Sequence, residues 1–237
     1  IIPANDENVR AVVERGCWTP VETFSSEIDS GANWSGLALP GHFEFYRGKT
    51  IQGSCDWQLS GAYNAENATG AILAAQALGV PVEKGIEAVG RFGGVKRRLE
   101  CKGVWGDVSL YDDFAHHPTA IARTIEGLRR EMSGGRLLII LEPRSNTMKL
   151  GVHQNALAEA LAGSDEAWVF RPEDLSWSLD DALAGAGQVH IGEDIDDIVA
   201  SAVATAAKGD RIVVMSNGGF GGIHQQFEQA LSDRFER

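Results

Sequence analysis

The sequence predicts an α/β fold whose C-terminal part is a Rossmann-like, doubly wound and mostly parallel sheet. Three short apolar runs indicate this sheet: LLIILEP at 137–143, AWVF at 167–170 and RIVVMS at 211–216. Strands that helices cover on both faces have this continuous apolar composition. Helical patterns separate the runs, near residues 117–131, 153–162, 194–207 and 222–235. Because such sheets bind ligands beyond the carboxyl ends of their strands, we expect the chemistry there.

The N-terminal part has a different pattern. Residues 18–60 alternate in the manner of strands and are interrupted by glycine-containing turns. Two helices are expected to follow, from about Tyr63 to Leu78 and over 82–91, because apolar residues recur there at helical spacing. In the first of them the apolar positions are Ala68, Ile72, Ala75 and Leu78. The sequence therefore predicts a β-rich and helical domain in this part of the chain.

The FGG sequence at 92–94 is a natural linker between the two patterns. We place the domain boundary there, which gives domains at 1–93 and 94–237. The chain opens with an apolar strand end and a helix at about 5–15. We therefore expect Ile1 to lie inside a longer protein, of which this chain is the C-terminal part.

Composition limits the class of partner. The net charge of −12 argues against nucleic acid and against an anionic membrane, because both would repel an acidic surface. No apolar run is long enough to span a bilayer. The three cysteines, Cys17, Cys55 and Cys101, have no pairing or zinc-site pattern, so we expect reduced thiols in a cytoplasmic protein.

Two neighbouring segments carry most of the chemistry: the arginine pair of VKRRLE (95–100) and the polar run YDDFAHHPTAI (111–121). Arg98 alone would more often form a surface ion pair. With Arg97 beside it and carboxylates following, a phosphate partner is favoured, because a guanidinium binds phosphate through two charge-assisted hydrogen bonds. Asp113 can bond turn amides ahead of a helix, or Asp112 and Asp113 can accept the hydroxyls of a ribose.

Other motifs have simpler interpretations. Two adjacent histidines, His116 and His117, are more often structural than metal ligands, so no metal site is expected. The SNGGFGG segment (216–222) is either a tight turn into a helix or an anion-binding nest of backbone N–H groups. It lacks the spacing of a dinucleotide fingerprint, which disfavours a nicotinamide-dependent oxidoreductase. Gly48-Lys49-Thr50 imitates the end of a phosphate-binding loop, but its flanks indicate a β-hairpin.

Taken together, several segments resemble the Mur ligase family, ATP-dependent enzymes that join amino acids or peptides to a UDP-sugar acid. They are GCWTP (16–20), GAYNAENATGAILAA (61–75), RRLE (97–100), YDDFAHHPTAI (111–121), LEPRSNTMKLG (141–151) and VMSNGGFGGIHQ (214–225). The resemblance implies that residues 1–93 end a central ATPase domain and that residues 94–237 form the C-terminal, peptide-binding domain. The UDP-sugar domain, the phosphate-binding loop and most magnesium ligands would then lie outside this chain.

The resemblance also implies a reaction. The last two segments are similar to members that add a peptide, which implies joining of L-Ala-γ-D-Glu-meso-diaminopimelate to UDP-N-acetylmuramate in peptidoglycan recycling. ATP and Mg²⁺ would serve an acyl phosphate mechanism, and the chain alone would be inactive. Three alternatives stay open: a family member that adds another amino acid, a non-catalytic nucleotide- or peptide-binding module, and, less favoured, a Rossmann-type oxidoreductase.

By position, the resemblance implies roles for individual residues. Asn64 and Asn67 would contact the nucleotide, with Asn67 at adenine, although Tyr63 replaces the usual histidine of that segment. Arg98 would reach the γ-phosphate, Asp113 the ribose and Phe114 the base, while His116 would lie near the reacting centre. The incoming peptide would be bound by Arg144, Ser145, Asn146, Ser216, Asn217 and Phe220.

Overall fold

A computed structural model of the chain describes residues 1–59 and 61–235. The chain divides into two compact units, residues 1–94 and 95–237. Residue 60, the last of the predicted strand region, lies outside the described residues, as do residues 236 and 237 at the end of the predicted second domain. Each unit has its own sheet and its own core.

Over its described residues, the first unit contains a five-stranded sheet and three α-helices. In the order β1-β2-β3-β4-β5, the first three strands are parallel and the last three antiparallel. The strands are β1 (Ile2–Pro3), β2 (Thr23–Ser25), β3 (Trp34–Leu39), β4 (His42–Arg47) and β5 (Thr50–Asp56). The helices are α1 (Glu7–Glu14), α2 (Ala62–Ala77) and α3 (Val82–Gly90). Arg47 pairs with Thr50 across a hairpin whose turn is Gly48 and Lys49, so the Gly-Lys-Thr sequence belongs to a β-hairpin, as predicted.

Helix α2 lies close to the sheet because small residues face it. Ala65 and Ala68 are buried against the aromatic side chains of β3 and β4. Gly36 on β3 is part of this approach, since a Cβ there would overlap the Thr69 hydroxyl of α2. The predicted helix from about Tyr63 to Leu78 corresponds to α2, which ends at Ala77; Leu78 follows the helix and is 87% exposed.

The second unit contains a six-stranded sheet in the order β10-β9-β8-β11-β7-β6. Among the described strands of this unit, only β6 is antiparallel to its neighbour, which confirms a mostly parallel sheet. The strands are β6 (Glu100–Trp105), β7 (Val108–Asp113), β8 (Leu137–Leu141), β9 (Glu166–Phe170), β10 (Val189–Gly192) and β11 (Arg211–Met215). The helices are α4 (Pro118–Glu131), α5 (Asn146–Lys149), α6 (Gln154–Leu161), α7 (Leu179–Leu183), α8 (Ile195–Thr205) and α9 (Ile223–Phe235).

Helices cover both faces of this sheet, as in a doubly wound fold. Along β8 the side chains alternate: Leu137, Ile139 and Leu141 join the core under α4, α6 and α7, whereas Leu138 and Ile140 join the core under α8 and α9. This alternation follows from the two-residue period of a strand. It explains why the sequence of β8 is apolar throughout.

Candidate functional site

The register of three neighbouring strands brings the predicted polar segments to one edge of the sheet. Met215 on β11 is opposite both Asp113 on β7 and Leu141 on β8. The ladder continues one residue further, because Glu142 N donates to Met215 O at 3.0 Å and Ser216 N donates to Asp113 O at 3.1 Å. The carboxyl ends of β7, β8 and β11 therefore form one edge of the sheet, and the segments YDDFAHH, EPRSNT and SNGGFGG all lie at that edge.

Asp113 is held by the protein itself. Its side chain is 3% exposed and accepts hydrogen bonds from Leu99 N and Ala115 N, both at 2.8 Å. Burial raises the pKa of this carboxyl above its ordinary value, and the two N–H donors oppose that rise. These two hydrogen bonds support the interpretation of Asp113 as a carboxylate that binds turn amides. Ribose binding by Asp113 stays a prediction.

Asp112 does not join Asp113 in a shared site. The two residues are consecutive on β7, and consecutive strand residues face opposite sides. Asp112 Oδ2 instead accepts a hydrogen bond from Arg97 Nε at 3.2 Å, and its Oδ1 lies 3.0 Å from His224 Nε2. Burial alone would raise the pKa of Asp112, but His224 and Arg97 outweigh it and lower that pKa. The alternative in which both carboxylates bind one ribose is therefore wrong.

The two arginines of RRLE have different environments. Arg97 is half-buried and its guanidinium donates to Asp112, to Ser216 O and to Gly218 O. Arg98 is exposed, and its guanidinium carbon lies 5.1 Å from the centre of the Phe114 ring. Arg98 is thus available to an anionic ligand, as the γ-phosphate prediction requires. The Phe114 ring already contacts the guanidinium groups of Arg97 and Arg98. A nucleotide base at Phe114 would therefore have to bind beside these two side chains.

The backbone around Arg98 is strained. Arg97 has φ +59° and Leu99 has φ +53°, the left-handed region that side chains disfavour. Each such residue costs on the order of 1–3 kcal/mol and persists only where surrounding contacts determine it. Here Glu100 Oε2 accepts from Arg97 N at 2.9 Å, and Asp113 accepts from Leu99 N. These carboxylates hold the turn that presents Arg98.

The histidine pair also separates into two roles. His116 Nδ1 lies 2.9 Å from Phe114 O, and its ring meets the Phe114 ring edge-on. His117 Nδ1 accepts from Thr119 N at 3.2 Å and caps helix α4. Burial, then the neighbouring His153 and His116, lower the pKa of His117. His117 is therefore structural, whereas the place of His116 near a reacting centre remains a prediction.

Two of the residues predicted to bind the peptide are interior residues. Ser216 is fully buried; its hydroxyl donates to Glu142 Oε2 and accepts from Gly218 N at 2.9 Å. Phe220 is 1% exposed and packs edge-on against Phe170 in the core under α8 and α9. In the structure these residues shape the loop after β11, and peptide binding by either of them stays a prediction. The apolar ring of Phe220 and the strand-end position of Ser216 explain their burial.

The remaining predicted peptide residues lie at the surface or partly exposed. Arg144 is exposed and lies directly on Gly218, where a Cβ would be 2.6 Å from Arg144 Cδ and 2.7 Å from Cζ. Ser145 caps the short helix α5 by accepting from Met148 N at 3.3 Å, and Asn146 is exposed at its start. Asn217 is half-exposed, with its Oδ1 buried. Peptide binding by these four residues stays a prediction.

The predicted adenine-contacting residues belong to the first unit. Asn64 and Asn67 lie three residues apart near the start of α2, which places them on one face of that helix. Asn67 is exposed, and Tyr63 and Asn64 are partly exposed. Their contact with a nucleotide stays a prediction.

No group of three or more His, Cys, Asp or Glu side chains within the described residues has the arrangement of a metal site. Across the same described residues, every helix is too short or too polar to cross a bilayer.

Sequence reasoning missed three residues of this edge: the anchoring role of Arg97, the Glu142 carboxylate that accepts from Ser216, and His224 behind Asp112. Glu142 had a detectable signal, because a carboxylate directly after a buried strand needs a partner. The contact between His224 and Asp112 depends on packing of α9 and leaves no local pattern.

Comparison with known proteins gives the family. Residues 97–218 match the model of the Mur ligase, glutamate ligase domain, which is more than half of the chain. The chain belongs to the Mur ligase family. This match includes Arg97 to Leu99, β7 with its carboxylates, and the start of the loop after β11 as far as Gly218.

Individual Mur ligases are similar over the whole chain. A UDP-N-acetylmuramate–L-alanyl-γ-D-glutamyl-meso-2,6-diaminoheptandioate ligase of Escherichia coli is 37% identical over 100% of this chain and 52% of its own length. The Haemophilus influenzae ligase of the same name is 40% identical over 96% of this chain and 51% of its own. A murein peptide ligase from Psychrobacter arcticus has a crystal structure with a TM-score of 0.73, 36% identity, and coverage of 98% and 51%. The chain spans about half the length of these relatives.

Proposed function

We propose that this chain is the acceptor-binding half of an ATP-dependent ligase that joins L-Ala-γ-D-Glu-meso-diaminopimelate to UDP-N-acetylmuramate. The relatives at 37% and 40% identity carry the name of that reaction and align with nearly all of this chain. The geometric observation that carries the proposal is the exposure of two arginines, Arg98 and Arg144, at one sheet edge. A phosphate and a multiply charged peptide both need such cations.

The domain assignment belongs to the same proposal. Residues 1–93 would complete a central ATPase domain and residues 94–237 would bind the peptide, with FGG between them as a hinge. In that arrangement Asn64 and Asn67 serve the nucleotide. The phosphate-binding loop, the UDP-sugar site and most magnesium ligands would come from the other half of the enzyme. We place the reaction in the cytoplasm, where ATP is supplied.

The chemistry proceeds in two steps. The carboxylate of UDP-N-acetylmuramate attacks the γ-phosphate of ATP, which releases ADP and forms an acyl phosphate. The amine of the tripeptide then attacks the acyl carbon, phosphate leaves with the former carboxylate oxygen, and the amine loses a proton. Magnesium, when bound, neutralises charge on the transferred phosphate.

The residues of this chain act on charge and position. Arg98 places a guanidinium where negative charge develops on the phosphate, and a positive charge at that point stabilises the transition state. Arg144 provides a cation for a peptide carboxylate. His116, with Nδ1 directed at the Phe114 carbonyl, is fixed in orientation near Arg98.

The test is ATP-dependent ligation by the full-length enzyme that contains this chain. UDP-N-acetylmuramate is offered with the tripeptide in one reaction and with L-alanine in another, and ADP release is measured. The proposal predicts release with the tripeptide alone. Release with L-alanine alone would keep the family and overturn the substrate, whereas no release with either would favour a non-catalytic binding module.

A further inference from the structure

Arg97 connects two segments that the proposed function assigns to different substrates. From the turn that carries Arg98, its Nη2 donates to Ser216 O at 2.8 Å and to Gly218 O at 2.6 Å. Its Nε donates to Asp112 at 3.2 Å. One side chain therefore fastens the phosphate-side turn to the loop after β11.

The loop end of this connection supports Arg144. Gly218 lies directly beneath the Arg144 side chain, with no room for a Cβ between them. Ser216 holds the same loop, because its hydroxyl donates a hydrogen bond to Glu142 and accepts one from Gly218 N. A shift of the Gly218 carbonyl would therefore move the surface on which Arg144 lies.

The turn end of the connection is equally constrained. Arg97 and Leu99 are both left-handed, so the backbone on either side of Arg98 is in a conformation that local preference does not maintain. The guanidinium of Arg97 is one of the contacts that holds it, together with the acceptors Glu100 and Asp113.

Asp112 makes the connection rigid. It is buried, it accepts from Arg97, and it has His224 of helix α9 on its other side. A lysine at position 97 has three donors on one nitrogen and cannot reproduce the planar fork that spans Asp112 and two carbonyls.

We propose that Arg97 is a positioning residue that sets the acceptor loop and Arg144 relative to Arg98, so that loss of its guanidinium weakens tripeptide binding. The inference rests on the proposed function, since it takes Arg98 as the phosphate contact and Arg144 as the peptide contact. Arg97 itself touches neither substrate in this account.

The experiment measures steady-state kcat and the KM of the tripeptide and of ATP in the full-length enzyme. The variants are Arg97→Ala, Arg97→Lys and, as a matched control, Arg130→Ala, which removes an exposed arginine paired with Glu126 on α4. Loss of charge-assisted hydrogen bonds predicts that Arg97→Ala raises the tripeptide KM roughly tenfold or more, with a smaller rise for Arg97→Lys. Arg130→Ala leaves both KM values at the wild-type level.

A merely structural role predicts a different result. Partial unfolding would reduce the active fraction and hence kcat, while the tripeptide KM of the remaining enzyme stays within about twofold of wild type. That outcome overturns the inference, and if Arg97→Ala does not fold, the same criterion is applied to Arg97→Lys. Failure of the wild-type enzyme to use the tripeptide would instead overturn the proposed function, and is seen before any variant is compared.

Discussion

Gly218→Ala should damage peptide use with little effect on folding. The new Cβ would lie 2.6 Å from Arg144 Cδ and 2.7 Å from Cζ, whereas carbon atoms in contact prefer about 3.5–4.0 Å. The Arg144 side chain must therefore move by about 1 Å, and a misplacement of this size can cost up to roughly a hundredfold in rate. Because Arg144 is exposed and flexible, its movement costs less than about 1 kcal/mol of unfolding free energy.

Gly135→Ala is the matched comparison. Gly135 has φ +75°, and a Cβ there would overlap the carbonyl of Gly209 and lie 3.1 Å from Asp210 N, all of them backbone groups that cannot turn aside. Gly135 precedes β8 and therefore lies at the amino-terminal ends of the parallel strands, away from the site. Its substitution should lower the free energy of unfolding by more than about 2 kcal/mol, with no specific effect on use of the peptide.

Both variants are assayed by thermal unfolding and by steady-state kinetics of the full-length enzyme. Gly218→Ala should reduce kcat/KM for the tripeptide roughly tenfold to a hundredfold, with a melting temperature within about 4 °C of wild type. Gly135→Ala should show the reverse pattern. Wild-type tripeptide kinetics in Gly218→Ala would refute the account of Arg144.

Three further predictions concern single side chains. Arg98→Ala should reduce kcat at least about a hundredfold while the melting temperature stays unchanged, since Arg98 is exposed; near-normal turnover would remove Arg98 from the reaction. Arg144→Ala should raise the KM of the tripeptide far more than that of ATP, and equal effects would contradict its assignment. His117→Asn should flatten the pH dependence of stability in chemical denaturation between pH about 7 and 5. The pKa of His117 is lowered by folding, so its contribution to stability is present above the ordinary value near 6.5 and is lost on acidification; an unchanged slope would count against the cap.

The sheet of the second unit could be predicted from the sequence because the apolar pattern of its strands is local. The run Leu137–Leu141 is apolar at every position, and the structure has it buried on both faces. The elements that were not predicted include the strand Val189–Gly192 and the helices Asn146–Lys149 and Leu179–Leu183. The strand is an edge strand of four residues, too short and too mixed in composition for periodicity to detect.

Only part of the candidate site could be predicted from the sequence. Residue type and position were enough to select Arg98 and Arg144, which face solvent, and strand-end position selected Asp113, which is buried. Sequence could not separate the exposed Arg98 from the anchored Arg97, since the difference arises from partners more than 110 residues away. It also assigned the buried Phe220 to a binding surface. A glycine-rich loop allows either orientation, and packing under α8 decides it.

The most direct test of the account is mass spectrometry of both products of the full-length enzyme. UDP-N-acetylmuramate labelled with ¹⁸O in its carboxylate is supplied with ATP, Mg²⁺ and the tripeptide L-Ala-γ-D-Glu-meso-diaminopimelate. The account predicts UDP-N-acetylmuramoyl-tripeptide together with inorganic phosphate that carries one ¹⁸O. Absence of that tripeptide product, or unlabelled phosphate alongside it, would contradict the account.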